Sequence, residues 1–296
     1  MKSLSQLLTI NNNMIDLGVV NFHFTHKCNY DCKFCHSNFF SSNQKKILSV
    51  ERWKEITDLL KPYCKRINFA GGEPLLHKKL IGKLIEHNNQ IGLISTIITN
   101  GYLLNNEWLS EYGRHIKAIG ISCDSSNEMI NKKLGRGKGN HVKQTIEKFA
   151  LINKFNKTEN YILPKLNTVV NKLNYKENMI DFVLKTGATR WKIFQLLTIE
   201  GENVKYSKDL IINKEEFYEF YEINKTIEKY GVELVAENVD ELTDTYIMID
   251  PEGRFFSNDD NKYLFSKPIY EIGVEEALKQ IKFNPKNIEN LNRMFL

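Results

Sequence analysis

KCNYDCKFCHSNF, residues 27–39, sets three of the chain's five cysteines at positions 28, 32 and 35, with gaps of three and then two residues. A disulfide framework fits poorly, because 296 residues with five cysteines and no cleavable apolar leader do not describe a small secreted scaffold. The thiols read as reduced and the compartment as cytoplasmic. Structural zinc on Cys28, Cys32, Cys35 and His36 is a second reading, but zinc folds normally split their ligands into two separated pairs. An iron–sulfur cubane suits the spacing: three thiolates hold three irons and leave the fourth open to a substrate or cofactor.

Working outward, VVNFHFT (19–25) just upstream has the β-branched and aromatic residues of a strand, so the cysteines begin where it ends. Further strands are predicted at 66–70 (RINFA), 94–99 (ISTIIT), 118–123 (AIGISC), 165–170 (KLNTVV) and 190–196 (RWKIFQL). Helical spacing recurs between them at 50–61, 77–89, 105–113, 140–156 and 175–186, and after them at 214–230. Six βα units predict an α/β fold, a partial (βα)6 barrel with a C-terminal extension. Ligands of parallel α/β folds gather beyond the C-terminal ends of the strands. There stand the cysteine run, GGEP (71–74), TNG (99–101) and CDS (123–125), after the first four strands in turn. TYIMIDPEGRFFSN (245–258) reads as two extended runs around a Pro-Glu-Gly turn.

Composition narrows the function classes. With 42% hydrophobic and 26% charged residues the chain is an ordinary globular protein, and no run approaches the ~18 apolar residues that cross a bilayer. Neither membrane attachment nor direct nucleic-acid binding is expected, since the net charge is only +5 and no stretch strings five or six basic residues together. A small acidic ligand accounts for the excess.

The Cys28, Cys32, Cys35 spacing, with Gly71-Gly72-Glu73-Pro74 after the second strand, resembles the radical S-adenosylmethionine (SAM) enzymes. That resemblance implies a [4Fe–4S] cluster on the three cysteines, SAM chelated to the open iron, and an unidentified electron donor. Reductive cleavage of SAM then yields a 5′-deoxyadenosyl radical. A narrower resemblance runs through VNFHFTHKCNYDCKFC, RINFAGGEPLL, TNGYLL, ISCDSSNE, LGRGKGNHV, KLNTVVNKLN, RWKIFQLLTIEGEN and GVEEALK, and is to the viperin family, more closely its prokaryotic members. It implies conversion of a nucleoside triphosphate to its 3′-deoxy-3′,4′-didehydro form, a chain terminator in antiviral or antiphage defence. It also implies an organisation of an N-terminal segment 1–17, a barrel 18–200, and an extension 201–296 that closes the nucleotide pocket.

On the SAM side the resemblance points to Gly71, Gly72, Glu73, Asn100, Ser122 and Arg136. On the nucleotide side it points to Asn21, Arg66, Lys165, Asn167, Arg190, Lys192 and Glu252, with Lys165 the catalytic candidate for protonating the departing 3′ hydroxyl. The residues carry part of this unaided. Arg190 and Lys192, two apart in a strand, share a face opposite Trp191, and a buried basic pair without partners requires an anion. Arg136 reads either as a solvated loop arginine or, between Gly135 and Gly137, as a ligand contact. His23 reads as a hydrogen-bonded core histidine, Cys64 and Cys123 as buried apolar residues, and Glu200 and Glu202 as rim or lysine-pairing carboxylates.

The chain departs from animal viperins in carrying Arg66 for lysine, Ala70 for serine and Glu252 for tyrosine. A carboxylate only accepts hydrogen bonds, which suits cytosine or guanine better than uracil, and the resemblance implies CTP first, with GTP next. Two other classes stay open: a radical SAM enzyme for another small molecule or a peptide, and a non-catalytic nucleotide-binding defence protein.

Overall fold

Six short strands with β-branched and aromatic outer faces pair side by side, in parallel and in chain order. They are β1 (Val19–His23), β2 (Arg66–Ala70), β3 (Ile94–Thr99), β4 (Ile116–Ser122), β5 (Leu163–Val170) and β6 (Arg190–Gln195). The computed structural model describes residues 15–37, 47–243, 245–259 and 261–282. Most of the N-terminal segment and the last stretch of the extension lie outside them.

The connecting helices are α1 (Val50–Leu60), α2 (Lys78–Gln90), α3 (Asn106–Tyr112), α4 (Glu128–Lys133), α5 (His141–Phe155) and α6 (Ile180–Thr186); α7 (Lys214–Asn224) follows β6. Their starts obey capping chemistry: the Ser49 side chain accepts from the Arg52 amide, and Asn105 accepts from Trp108. The partial (βα)6 barrel is therefore as expected, and it is wider than six strands. Beyond β6 lies β7 (Glu233–Glu237), also parallel, while β8 (Ile247–Ile249) pairs in parallel with the opposite flank of β1. β9 (Arg254–Asp259) and β10 (Lys262–Pro268) follow antiparallel, and the sheet order β10-β9-β8-β1-β2-β3-β4-β5-β6-β7 leaves it open. The turn between β8 and β9 matches the extended pair expected around Pro251-Glu252-Gly253, whereas β7 and β10 were not anticipated.

Alternation divides each strand. Phe22, Ile67, Ile97, Ile119, Leu166 and Trp191 point outward into the helix layer, where Trp191 meets Phe220 of α7 at a ring-centroid distance of 5.8 Å. Several of the inward positions are polar. Asn68 Nδ2 donates to Asn21 Oδ1 at 2.7 Å, and Thr96 Oγ1 donates to Asn68 Oδ1 at 2.8 Å, a ladder across β1, β2 and β3. A barrel filled for stability alone packs branched apolar side chains here, and this ladder departs from that pattern.

Candidate active site

The rim at the strand ends is assembled from contacts far apart in sequence. Glu73 is fully buried; its amide donates to the Lys27 carbonyl at 2.8 Å. Its Oε1 accepts from Thr99 Oγ1 (2.6 Å) and the Leu75 amide (2.9 Å), and Oε2 accepts from the Asn100 amide (2.8 Å). One carboxylate thus ties the glycine turn to the turn after β3. Gly71 and Gly72 have φ of +69° and +53°, and a Cβ on Gly72 would lie 2.4 Å from the Lys27 carbonyl oxygen. Only glycine lets this turn close on the cysteine loop.

Asn100 Nδ2 reaches the Asn29 side-chain oxygen at 2.8 Å and lies 3.9 Å from Cys28 Sγ. On the far side of the loop the Asp31 and Lys33 amides donate to the Gly135 and Leu134 carbonyls, and a Cβ on Gly135 would be 1.9 Å from Asp31 O. Arg136 is 8% exposed and ion-paired with the fully buried Asp124, which ends its reading as a solvated loop residue. Its charge bears on all three cysteines and on Glu73. The Ser122 carbonyl accepts from His141 Nε2 at 2.8 Å, so Nδ1, 3.1 Å from the Tyr30 hydroxyl, is the ring's acceptor. Burial pushes His141 down to about 4, with Arg136 adding to the effect, and the ring stays neutral.

Burial pushes the Cys35 thiol up to about 11 and the Cys32 thiol beyond the usual cysteine range, and no cysteine is in a disulfide. Thiolates are disfavoured in this loop until a cation binds them, and iron supplies that charge. Among the described residues no three His, Cys, Asp or Glu side chains converge closely enough to share one metal ion. A cubane does not ask this, because each of its thiolates binds a different iron, and the donor set fits a [4Fe–4S] cluster. Cys64 and Cys123 are buried elsewhere, as expected.

Nearer the strand starts the lumen turns basic. Lys165 and Arg190 are register neighbours on β5 and β6, as are Asn167 and Lys192. Burial lowers the Lys165 ammonium well below the ordinary lysine range, helped by Lys192, Arg190 and Arg66, and Glu237 opposes the shift. Arg190 and Lys192 do share a face opposite Trp191, and the anions that such a pair was expected to need are present in the protein itself. Arg190 Nε donates to Glu233 Oε2 at 2.6 Å, and Lys192 is ion-paired with Glu237. Lys192 Nζ also donates to the Tyr246 hydroxyl at 2.8 Å, and that hydroxyl donates to Glu237. Both glutamates stand on β7, the unanticipated strand. Its sequence ELVAE places them four apart and so on one strand face, a signal visible only once it is read as a strand. Asn167 Oδ1 is buried with no hydrogen-bond partner among the described residues.

His23 is the hydrogen-bonded core histidine expected, with Nδ1 2.9 Å from Ser37 Oγ; burial and His36 push it down to about 3. Glu200 pairs with Lys262 at 3.1 Å, and Glu202 is buried. Glu252 lies apart from the cations, in the β8–β9 turn, with Oε2 3.4 Å from Arg254 Nη1. Arg254 in turn clasps Asp250 and sits 4.5 Å from the Phe265 ring centroid.

A sequence model of the radical SAM superfamily matches residues 22–169. The chain is 37% identical over 271 residues to an S-adenosylmethionine-dependent nucleotide dehydratase of Lacinutrix mariniflava, an alignment of 90% of this chain and 56% of that protein. It therefore spans little more than half of that relative's length. It is 36% identical to the protein so named in Flammeovirga pacifica (90% and 91% covered) and 34% identical to S-adenosylmethionine-dependent nucleotide dehydratase RSAD2 of Danio rerio (90% and 74%). Among solved structures, Streptococcus suis SuiB bound to precursor peptide SuiA superposes with a TM-score of 0.64 at 16% identity, covering 85% of this chain and 61% of that one. Native anSMEcpe with bound AdoMet gives 0.63 at 15%, covering 94% and 82%, and both show the fold alone. A cubane-competent thiol loop locked to a glycine turn, on a chain 36% identical to a relative of which it covers 91%, leads to one assignment. The chain belongs to the viperin family of S-adenosylmethionine-dependent nucleotide dehydratases within the radical SAM superfamily, whose cofactors are a [4Fe–4S] cluster and SAM.

Proposed function

We propose that the chain converts a nucleoside triphosphate, CTP first and GTP next, to its 3′-deoxy-3′,4′-didehydro analogue, which acts as a chain terminator in antiviral or antiphage defence. The observation that carries this reading is the division of the lumen along its strands. The cysteine loop and glycine turn stand at the C-terminal ends, while Arg66, Lys165, Arg190 and Lys192 gather toward the starts. Three or four strand residues rising ~3.3 Å each separate the two groups by roughly 10–13 Å, the reach of a ribose with its triphosphate.

When bound, a [4Fe–4S] cluster on Cys28, Cys32 and Cys35 together with SAM would supply radical hydrogen abstraction directed at the 4′ position of the ribose. The chain's own groups do the rest. The four cations grip the phosphates through charge-assisted contacts, and the Asn167 oxygen offers an acceptor to the sugar. Lys165, charged once phosphate stands beside it, protonates the departing 3′ hydroxyl, which leaves as water, and one further electron from the electron donor completes the 3′,4′ double bond. Gly71, Gly72, Glu73, Asn100, Ser122 and Arg136 shape the SAM side, and Asn21 and the turn carrying Glu252 face the base. Residues 201–296 close the pocket; Glu237 and Tyr246 from that stretch already reach Lys192.

The test follows the hydrogen. With a triphosphate deuterated at C4′, mass spectrometry should find one deuterium in 5′-deoxyadenosine. Transfer from C3′ or C5′ instead would exclude this chemistry.

A second expected result concerns protons. Burial lowers Lys165 well below the ordinary lysine range in the free protein and a bound phosphate raises it again, so between those two values binding takes up a proton. Affinity for the triphosphate should therefore fall as pH rises from the depressed free value toward the ordinary lysine range, by up to about tenfold per pH unit for one proton. Calorimetry in buffers of different ionisation enthalpy measures the uptake, and Lys165→Gln, lacking the amine, isolates it from the phosphate's own titration. Equal uptake in both proteins would show that Lys165 is not the group.

A further inference from the structure

We propose that the groove outside the cysteine loop is the docking surface for an acidic one-electron carrier protein, which reduces the cluster through Cys28. The inference rests on the radical SAM reading of that loop. The groove has a volume of about 740 Å³, and Cys28 lies in its wall. Cys28 is exposed whereas Cys32 and Cys35 are part-buried, so it marks the shortest route from the cluster to a partner.

Lys33, Lys132, Lys133 and Lys138 surround the groove, all exposed, against the single acidic lining residue Asp31. Four lysines less one aspartate leave an excess of three positive charges beside an electron entry point. Among the described residues none of the four lysines is in an ion pair. Lys132 and Lys133, in the last turn of α4, also offset that helix's dipole. That role does not explain why Lys33 from the cysteine loop and Lys138 from the loop before α5 converge on the same groove. Met129, 62% exposed on its wall, offers the apolar contact that a polar-rimmed interface needs at its centre. The nucleotide cations face the lumen instead, so this surface is not the substrate's. Electron-transfer encounters are small and transient, and complementary charge steers them. The step moves one electron from the carrier, which is oxidised, to the cluster, which is reduced, and no bond or proton changes hands.

The experiment uses the reconstituted protein with flavodoxin, an acidic flavin carrier, as the probe. Oxidised flavodoxin binding is measured by biolayer interferometry at low and high salt; 5′-deoxyadenosine formation is measured with reduced flavodoxin and, separately, with dithionite. In the combined Lys33→Glu, Lys132→Glu, Lys133→Glu, Lys138→Glu variant, binding should weaken about tenfold or more and lose its salt sensitivity. Flavodoxin-supported formation should fall in proportion while dithionite-supported formation holds. If that variant does not fold, Lys132→Gln with Lys133→Gln should show the same split, about threefold in size. Unchanged flavodoxin binding, equal binding of basic cytochrome c, or parallel loss with both reductants overturns the proposal. So does binding of a single-stranded RNA that the changes abolish while flavodoxin binding stands. Wild-type protein inert even with dithionite would refute the radical SAM reading, and the binding arm would still decide the groove.

Discussion

Cys32→Ala, reconstituted with iron and sulfide, should show no visible cluster absorbance and form no 5′-deoxyadenosine with dithionite and SAM. Three thiolates are the whole protein ligand set proposed for the cubane, so losing one leaves two irons without protein anchors. No other cysteine can substitute. Cys64 sits under β1 and β2 with its amide bonded to Leu60 O, and Cys123 is buried at the end of β4 with its thiol donating to the Ser125 carbonyl at 3.3 Å. The control is Cys64→Ala, which removes a buried sulfur away from the loop and should leave the spectrum and SAM cleavage intact. A SAM-cleaving cluster in Cys32→Ala would refute the ligand assignment, as would loss of the cluster in folded Cys64→Ala.

Glu237→Ala should be the most destabilising change in the lumen. Lys192 and Glu237 are 2% and 3% exposed, and removing one partner of such a pair strands the other charge in a poorly solvated place. That costs about 3–5 kcal/mol, or on the order of 10 °C in melting temperature for a domain of this size. Replacing both, as Lys192→Met with Glu237→Leu, removes the stranded charge and should recover most of the loss. Saturating CTP should also recover part of it in Glu237→Ala, because the phosphates supply the missing anion, but little in the double variant. Urea melts with and without CTP measure all four conditions. If the single change costs under about 1 kcal/mol, or the double costs as much as the single, the pair does not have the weight assigned to it.

Much of the scaffold was legible before any tertiary contact was known. Ile94–Thr99 is β-branched at five of its six positions, and Val50–Leu60 carries Trp53, Ile56 and Leu60 at helical spacing behind a serine cap, so each announces itself through neighbours a few residues away. The opposition of Trp191 to Arg190 and Lys192 follows from strand geometry alone. β7 was not legible, because a five-residue strand with a glutamate at each end, just after a 3-10 turn and Gly231, has too little apolar pattern to stand out. Its absence from the sequence reading is also why the anions beside Arg190 and Lys192 were not identified as Glu233 and Glu237.

By itself, then, the sequence determined the order of βα units, the rim on which the cysteine and glycine turns fall, and the thiol spacing that suits a cubane. All are properties of residues adjacent in the chain. Only the tertiary structure decided that Glu73 binds two turns together, that Asp124 holds Arg136 beside the cysteines, that Glu237 neutralises Lys192, and that lysines from three segments meet beside Cys28. Those outcomes depend on which groups meet across strands and loops, buried in the first three cases and solvated in the last, and no local period encodes that.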